Sequence, residues 1–147
     1  MTTIHETRLQ RFRRLRGRDS FGRLFREGSA VRRGPILVRY RPVERGAVPV
    51  VVGFVTGRKL GSAVRRNRAR RRMREAYRLE RARFESRVPE LIGVELLVIW
   101  GGTPEGAWRT PFEELRNTLA SALDAVVKRL RARNDSPDAP RPSPPVH

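Results

Sequence analysis

Cysteine is missing from this 147-residue sequence, and the only two histidines, His5 and His147, lie near opposite ends of the chain. The lack of cysteine excludes disulfides, thiolate zinc sites, iron–sulfur clusters and a thiol nucleophile. Two histidines so far apart argue against a histidine metal site or general base. No apolar run approaches the roughly 20 residues of a membrane helix, and no apolar stretch follows the basic N-terminus as in a signal peptide. We therefore expect a cytoplasmic protein with no membrane partner.

Acidic residues are sparse as well, 15 in all. The glutamates between residues 75 and 95 recur every five positions, a spacing that does not place them on one helix face. The aspartates show no Asp-x-Asp pair of the kind that a two-metal nuclease uses. They are Asp19, Asp124, Asp135 and Asp138. We expect this chain to supply neither a catalytic residue nor a set of metal ligands.

Positive charge dominates the sequence. The chain carries 33 basic residues and a formal net charge of +18, with a pI of about 11.9. Only two of the basic residues, Lys59 and Lys128, are lysines, and the rest are arginines. Such an excess indicates a polyanionic partner. The length and the 38% hydrophobic content are sufficient for one domain with a modest core.

Hydrophobic periodicity predicts an α+β fold in the order helix, hairpin, helix, strand, helix. A short helix is expected over residues 20–27. Residues 36–41 and 48–56 are rich in β-branched residues, and a polar turn at Gly46 separates them. These two runs are predicted to pair as an antiparallel hairpin.

The second half of the chain is predicted to contain two long helices and one strand. The first helix begins near Ser62 and reaches about residue 84, and residues 94–100 form the strand. If that strand lies parallel to residues 48–56, the helix is a crossover connection. A capping box at residues 110–113 is expected to start the last helix. The buried stripe predicted for the first of these helices consists of Ala69, Met73, Ala76 and Tyr77.

Composition divides the chain into three parts. Residues 1–18 form a basic N-terminal arm, residues 19–133 the folded domain, and residues 134–147 a proline-rich tail. Five prolines in those last 14 residues predict disorder in the tail.

Basic residues are most crowded in residues 58–78, where ten of them accompany a single acid, Glu75. Neighbouring like charges repel on a helix, and cations in the first turn oppose the helix dipole. A helix lying against phosphates gains instead, because each guanidinium can hold two oxygens and releases counterions. A solvated basic face is the alternative, but the apolar stripe and the glycine-bounded loop favour polyanion binding. At 100° per residue the outward face carries Asn67, Arg68, Arg70, Arg71, Arg74 and Arg78.

Residues 53–78, GFVTGRKLGSAVRRNRARRRMREAYR, resemble the signature of the bacterial ribonuclease P protein component. The matching elements are the Arg-Lys-Leu-Gly turn at 58–61, the Ala-Val-Arg-Arg-Asn-Arg run at 63–68 and Arg-Glu-Ala-Tyr at 74–77. The arginine-rich lead-in and the Asp-x-Phe-x-x-x-Phe helix at 19–25 also resemble the family. The likeness extends over about residues 8–130.

The resemblance implies a protein cofactor of a catalytic RNA that removes the 5′ leader from precursor tRNA. It implies that the RNA subunit holds the Mg²⁺ ions and carries out the hydrolysis. The implied fold is a small mixed sheet of about four strands packed with three helices, similar to ribosomal protein domains. Its β-α-β crossover through the basic helix would be left-handed, although the usual rule gives a right-handed one. The protein is expected to be monomeric outside the holoenzyme.

The resemblance also implies two binding surfaces. A cleft between the first helix and the sheet would receive the leader through Phe21, Phe25 and a residue of the first strand. Counting from Gly28 places Arg39 where the family often has an aromatic, with Tyr40 beside it. Either Arg39 replaces the aromatic or the register shifts by one. The RNA subunit would be bound by Arg58, Lys59, Arg65, Arg66, Asn67, Arg68, Arg70, Arg71, Arg74 and Arg78.

Three other functions are alternatives. A ribosomal or ribosome-associated RNA-binding protein would share both the charge and the fold. The RNA that copurifies would distinguish this hypothesis from a ribonuclease P protein. A DNA-binding regulator would need a recognition helix with a dimer element, and the sequence shows neither helix-turn-helix spacing nor heptads. A protein-only nuclease would need metal ligands, and the sequence lacks a suitable set.

Overall fold

The structure is a computed structural model that describes residues 13–14 and 18–135. Its class is α+β, as predicted. In chain order the elements are β1 (Arg13–Arg14), α1 (Arg18–Glu27), β2 (Ser29–Arg33), β3 (Ile36–Glu44), β4 (Val50–Thr56), a 3-10 turn (Arg58–Leu60), α2 (Ala63–Arg87), β5 (Ile92–Trp100), α3 (Gly106–Arg109) and α4 (Phe112–Asn134).

The strands form one mixed sheet in the order β1-β4-β5-β3-β2. It has five strands where the resemblance implies about four, and the two-residue β1 pairs with β4 at one edge. β5 is the central strand of the sheet, and it runs parallel to β4 and antiparallel to β3. All but one of its residues are buried, as expected for a central strand covered on both faces. The expected crossover is therefore present: α2 connects the parallel strands β4 and β5.

The predicted hairpin between residues 36–41 and 48–56 is wrong. β3 and β4 lie on opposite sides of β5 and do not pair. The five residues between them are long enough to cross two strand spacings of about 4.8 Å each. The hairpin that is present joins β3 to β2, a strand absent from the prediction. Its turn contains Gly34 at φ +51°, a left-handed conformation that glycine adopts without strain.

Of the starts predicted for the two long helices, that of α2 has a side-chain cap and that of α4 does not. The side chain of Ser62 accepts a hydrogen bond from the backbone N–H of Arg65 at 3.3 Å, which confirms the predicted start of α2. The capping box predicted for α4 is wrong. Pro111 occupies the cap position of α4 without a side-chain hydrogen bond, and Thr110 ends α3. Thr110, the cap residue of the predicted box, directly follows the last residue of α3.

The two faces of the sheet are buried unequally. α2 and α4 cover one face and enclose the main core, which includes the whole predicted stripe of α2. On the other face α1 packs Leu24 against Leu97. Val51, Val55 and Ile99 lie beside this contact and are only partly buried by the described residues. Among the described residues, this second face is therefore the less covered of the two, beside α1.

The predicted arm and tail lie mostly outside the described residues. Within the arm, residues 13–14 form β1 and residue 18 begins α1, and at the other end the description stops at residue 135. The proposed boundaries at 18/19 and 133/134 therefore stay predictions. Within the described part of the chain, no helix is both long enough and apolar enough to cross a bilayer.

Candidate nucleic-acid interface

The first half of α2 carries its positive charge without acidic partners. The side chains of Arg65, Arg68 and Arg71 are exposed, and none makes a hydrogen bond or ion pair with the described residues. Asn67 is exposed between them. We call the surface formed by these four residues the α2 basic face. No carboxylate of the described residues therefore competes with an external anion for its guanidinium groups.

The second half of α2 is paired with acids. Arg78 donates to Glu75 through Nε at 3.0 Å, and Arg81 donates to Glu85 at 2.8 Å. The hydrogen bond from Arg78 lowers the pKa of the Glu75 carboxyl. Further along, two more arginines share the carboxylate of Asp124 on α4. They are Arg83 at 3.0 Å and Arg87 at 2.6 Å.

Two predicted outward residues lie instead on the flank of α2 that faces β4. Arg70 donates to the hydroxyl of Thr56 at 3.3 Å, and the Cζ atom of Arg74 lies 6.0 Å from the ring centroid of Phe54. Arg70 also donates to the side-chain oxygen of Asn67, which fixes the orientation of that amide. The basic surface therefore extends from the α2 basic face toward β4.

The loop before α2 is fixed at both ends. Leu60 is buried and anchors the 3-10 turn in the core. Gly61 has φ +98°, which a residue with a side chain would adopt only under strain. Arg58 and Lys59 are exposed on this turn, next to the first residues of α2. The loop thus presents two further cations beside the α2 basic face.

Phe25 and Arg39 meet on the accessible face of the sheet. The Phe25 side chain is 44% exposed, and the guanidinium carbon of Arg39 lies 5.2 Å from its ring centroid. Arg39 also donates to the carbonyl of Phe25 at 3.1 Å. We call the surface between this pair and the partly buried Val51 and Val55 the α1 groove. The Phe21 side chain lies outside the described residues.

The alternation of side chains along β3 places Arg39 and Tyr40 on opposite faces of the sheet. Arg39 pairs across the sheet with Leu97 on the α1 side, whereas Tyr40 pairs with Leu96 in the main core. Tyr40 is only 6% exposed. It therefore does not reach the α1 groove, whereas Arg39 lies beside Phe25 on that face.

Beneath the end of α1 lies a buried ion pair that the sequence analysis missed. Arg41 on β3 donates to the Oε1 atom of Glu95 on β5 at 2.7 and 3.2 Å, and the two residues are 3% and 1% exposed. A third bond of 3.1 Å runs from Arg41 to Glu27, the last residue of α1. The three side chains hold α1 to the sheet.

Carboxylates in the described part of the chain are not grouped for metal binding. No cluster of three or more histidine, aspartate or glutamate residues occurs there. Several acids bind arginines instead: Glu80 accepts from Arg116 at 2.8 Å, and Glu95 and Asp124 are paired as described above. The chemistry of this surface is that of cations and aromatic rings.

Comparison with known proteins identifies the family. A family model described as Ribonuclease P matches residues 9–131. The chain belongs to the ribonuclease P protein family. Among curated relatives, the ribonuclease P protein component of Symbiobacterium thermophilum is 37% identical over 111 residues, which cover 76% of this chain and 88% of the relative. The component of Chloroflexus aurantiacus is 38% identical over 115 residues and 78% of each chain.

Solved structures of ribonuclease P proteins share the fold. The protein from Thermotoga maritima aligns with a TM-score of 0.63 at 30% identity, covering 76% of this chain and 96% of that one. The Staphylococcus aureus protein aligns with a TM-score of 0.59 at 20% identity over 79% of this chain and 96% of that one. In this ribonuclease P family member, the motif that carried the resemblance spans the end of β4, the 3-10 turn and more than half of α2.

Proposed function

We propose that this chain is the protein subunit of ribonuclease P and assists a catalytic RNA in removing the 5′ leader from precursor tRNA. Family membership supports the assignment for the chain as a whole. The observation that carries the proposal is the division of α2: acids pair with the arginines of its second half and are missing from its first. A cluster of arginines kept clear of carboxylates is suited to phosphates, which guanidinium groups bind bidentately.

The RNA subunit is bound by the α2 basic face together with the exposed Arg58 and Lys59. Toward β4 the same surface continues through Arg66, Arg70 and Arg74, and Arg78 lies at its far end, paired with Glu75. Each phosphate contact releases condensed counterions, so affinity falls steeply with salt. Asn67, oriented by Arg70, adds an uncharged hydrogen-bonding group within the cluster.

The leader is bound in the α1 groove. An unpaired base stacked on an aromatic ring contributes about 1–3 kcal/mol, and the half-exposed ring of Phe25 provides such a surface. The guanidinium plane of Arg39 is a second surface on which a base can stack. Its contact with Phe25 holds that plane in place. Phe21 is included in the proposal from the family motif alone, and Tyr40 is excluded by its burial.

Catalysis belongs to the RNA subunit, which also holds the Mg²⁺ ions. The side chains described here do not fit a Mg²⁺ site in the protein, because carboxylate oxygens are the protein ligands that Mg²⁺ prefers and several of these are bound to arginines. The protein contributes affinity and orientation for two RNA molecules that would otherwise repel each other.

Sequencing the RNA that copurifies with the tagged protein tests the proposal. We expect one large noncoding RNA together with precursor tRNAs. An Arg68→Ala, Arg71→Ala variant should recover much less of that RNA at the same salt concentration. Recovery of ribosomal subunits in its place would overturn the proposal and favour a structural role on the ribosome.

A further inference from the structure

The segment between β5 and α4 is folded tightly against α2. The indole Nε1 of Trp100 donates to the carbonyl of Thr103 at 2.9 Å, and the Thr103 hydroxyl accepts from the N–H of Gly106 at 3.0 Å. A Cβ atom at Gly106 would lie 3.1 Å from the Trp100 ring, so the backbone approaches that ring closely. These contacts fix the position of α3, the four-residue helix within the segment.

Arg72 of α2 holds the other end of this segment. Its guanidinium donates to the carbonyl of Ala107 at 2.7 Å and also to that of Thr110. Burial lowers the pKa of the Arg72 guanidinium from its usual value. Arg72 thus has a structural role, and it ties α3 to the first half of α2.

Trp108, on α3, lies directly beside the α2 basic face. One side of the indole packs against the main core, and the guanidinium carbon of Arg65 lies 5.1 Å from the ring centroid. The Arg65 side chain is exposed and makes no other polar contact with the described residues. Its N–H groups therefore remain free while the ring restrains the group that carries them.

We propose that Trp108 is a positioning residue for RNA binding: it holds the Arg65 guanidinium in place for a phosphate of the RNA subunit. The inference rests on the proposed function. A free arginine side chain loses much rotamer freedom when it binds a phosphate, and a side chain already restrained by a cation–π contact loses less. The neighbouring Arg68 and Arg71 have no aromatic partner among the described residues, so they provide an internal comparison.

A structural role for Trp108 would give a different result from a positioning role. The segment already has the hydrogen bonds of Trp100, Thr103 and Arg72 to hold it, so Trp108→Leu retains an apolar contact with the core and leaves those bonds intact. Trp108→Phe retains an aromatic ring for Arg65. If Trp108 acts through Arg65, its effect on RNA affinity disappears when Arg65 is replaced.

A double-mutant cycle on the full-length protein tests this, with the in vitro transcribed RNA subunit as the probe and dissociation constants measured over a range of salt concentrations. We expect Trp108→Leu to weaken binding about two- to five-fold, the size of an exposed cation–π contact. Because no charge is lost, the salt dependence should not change. Trp108→Phe should retain most of the affinity. Arg65→Ala should weaken binding and lower the log–log salt slope by about 0.7–0.9.

The decisive comparison is between two double variants. With Arg65→Ala present, Trp108→Leu should cause no further loss, whereas with Arg71→Ala present the two losses should multiply. A loss from Trp108→Leu that persists in the Arg65→Ala background would overturn the inference, as would full affinity of Trp108→Leu. Thermal unfolding of each variant identifies any loss caused by misfolding. Failure of the wild-type protein to bind the RNA subunit would instead contradict the proposed function itself.

Discussion

Two arginines of β3 connect the C-terminal end of α1 to the sheet. Arg39 binds the backbone carbonyl of Phe25, and Arg41, two positions along the same face, binds the carboxylate of Glu27. Arg41 is also held by the fully buried Glu95. Since successive side chains on one strand face point the same way, both arginines reach the same helix. The position of Phe25 therefore depends on a buried ion pair that does not itself touch the groove.

Removing the carboxylate of Glu95 should destabilise the protein severely. We expect Glu95→Ala to lower the free energy of unfolding by about 3–5 kcal/mol, because the Arg41 guanidinium would remain buried without its main partner. Urea denaturation followed by circular dichroism measures this change. The matched control is the double variant Arg41→Met, Glu95→Leu, which removes both charges and should unfold much closer to the wild type. A loss below 1 kcal/mol for Glu95→Ala would contradict the buried-pair argument.

Phe25 should contribute to affinity for the leader and not to affinity for the rest of the tRNA. Phe25→Ala in the holoenzyme is expected to cost about 1–3 kcal/mol in binding a precursor with a leader of several nucleotides, through loss of base stacking. Binding of mature tRNA should hardly change. Leu24→Ala is the contrasting variant, because Leu24 is fully buried and its loss should lower the melting temperature. Equal losses for the two ligands with Phe25→Ala would show that the ring serves folding.

At the level of single elements, the two halves of α2 differ in how their arginines are paired with acids. Arg68 and Arg71 belong to the unpaired half, whereas Arg83 and Arg87 share Asp124. Replacing the first pair by alanine should lower the log–log salt slope for binding the RNA subunit by about 1.4–1.8. Replacing the second pair should leave the slope unchanged. Asn67→Ala should lower affinity with little change in slope, since asparagine carries no charge. A slope unaffected by the first pair would mean that this face does not lie on RNA.

The buried and exposed sides of α2 could be predicted because both follow from the helical period within one short stretch. Ala69 and Met73 are buried, and Arg68 and Arg71 are exposed, as the spacing requires. Arg70 and Arg74 departed from the prediction because their environment depends on β4, which the period of one helix does not describe. The patterns of β3, β4 and β5 likewise predicted these three strands, whereas β1 and β2 were not predicted.

Contacts between elements distant in sequence could not be predicted in the same way. β3 and β4 are close along the chain, and the pairing was misassigned because β5, about 50 residues later, inserts between them. The partners Arg41 and Glu95 stand 54 positions apart, and Arg65 and Trp108 are similarly separated. Nothing in the local pattern around any of these residues specifies its partner, since each contact exists only after the sheet has formed.

For the whole molecule, the distribution of charge matters more than its total. Acids among the described residues pair with an arginine of β3, with arginines in the second half of α2 and with an arginine of α4. Much of the net charge of +18 is therefore available to polyanions on the first half of α2 and its neighbouring turn. A cationic surface of this kind repels Mg²⁺ and attracts phosphates. It should lower the repulsion between a catalytic RNA and its RNA substrate.

We expect the protein alone to be inert and to lower the Mg²⁺ requirement of the RNA. Activation of water and stabilisation of the leaving 3′-oxygen usually fall to divalent ions, and the described side chains offer no cluster to hold them. The test is cleavage of a precursor tRNA at low Mg²⁺ by protein alone, RNA alone and the two together. We expect cleavage only with both, and recovery of the RNA-alone reaction as Mg²⁺ is raised. The Arg68→Ala, Arg71→Ala protein should need more Mg²⁺ than the wild type to reach the same rate. Site-specific 5′ cleavage by RNase-free protein without the RNA would refute the division of labour between a cationic protein and a catalytic RNA.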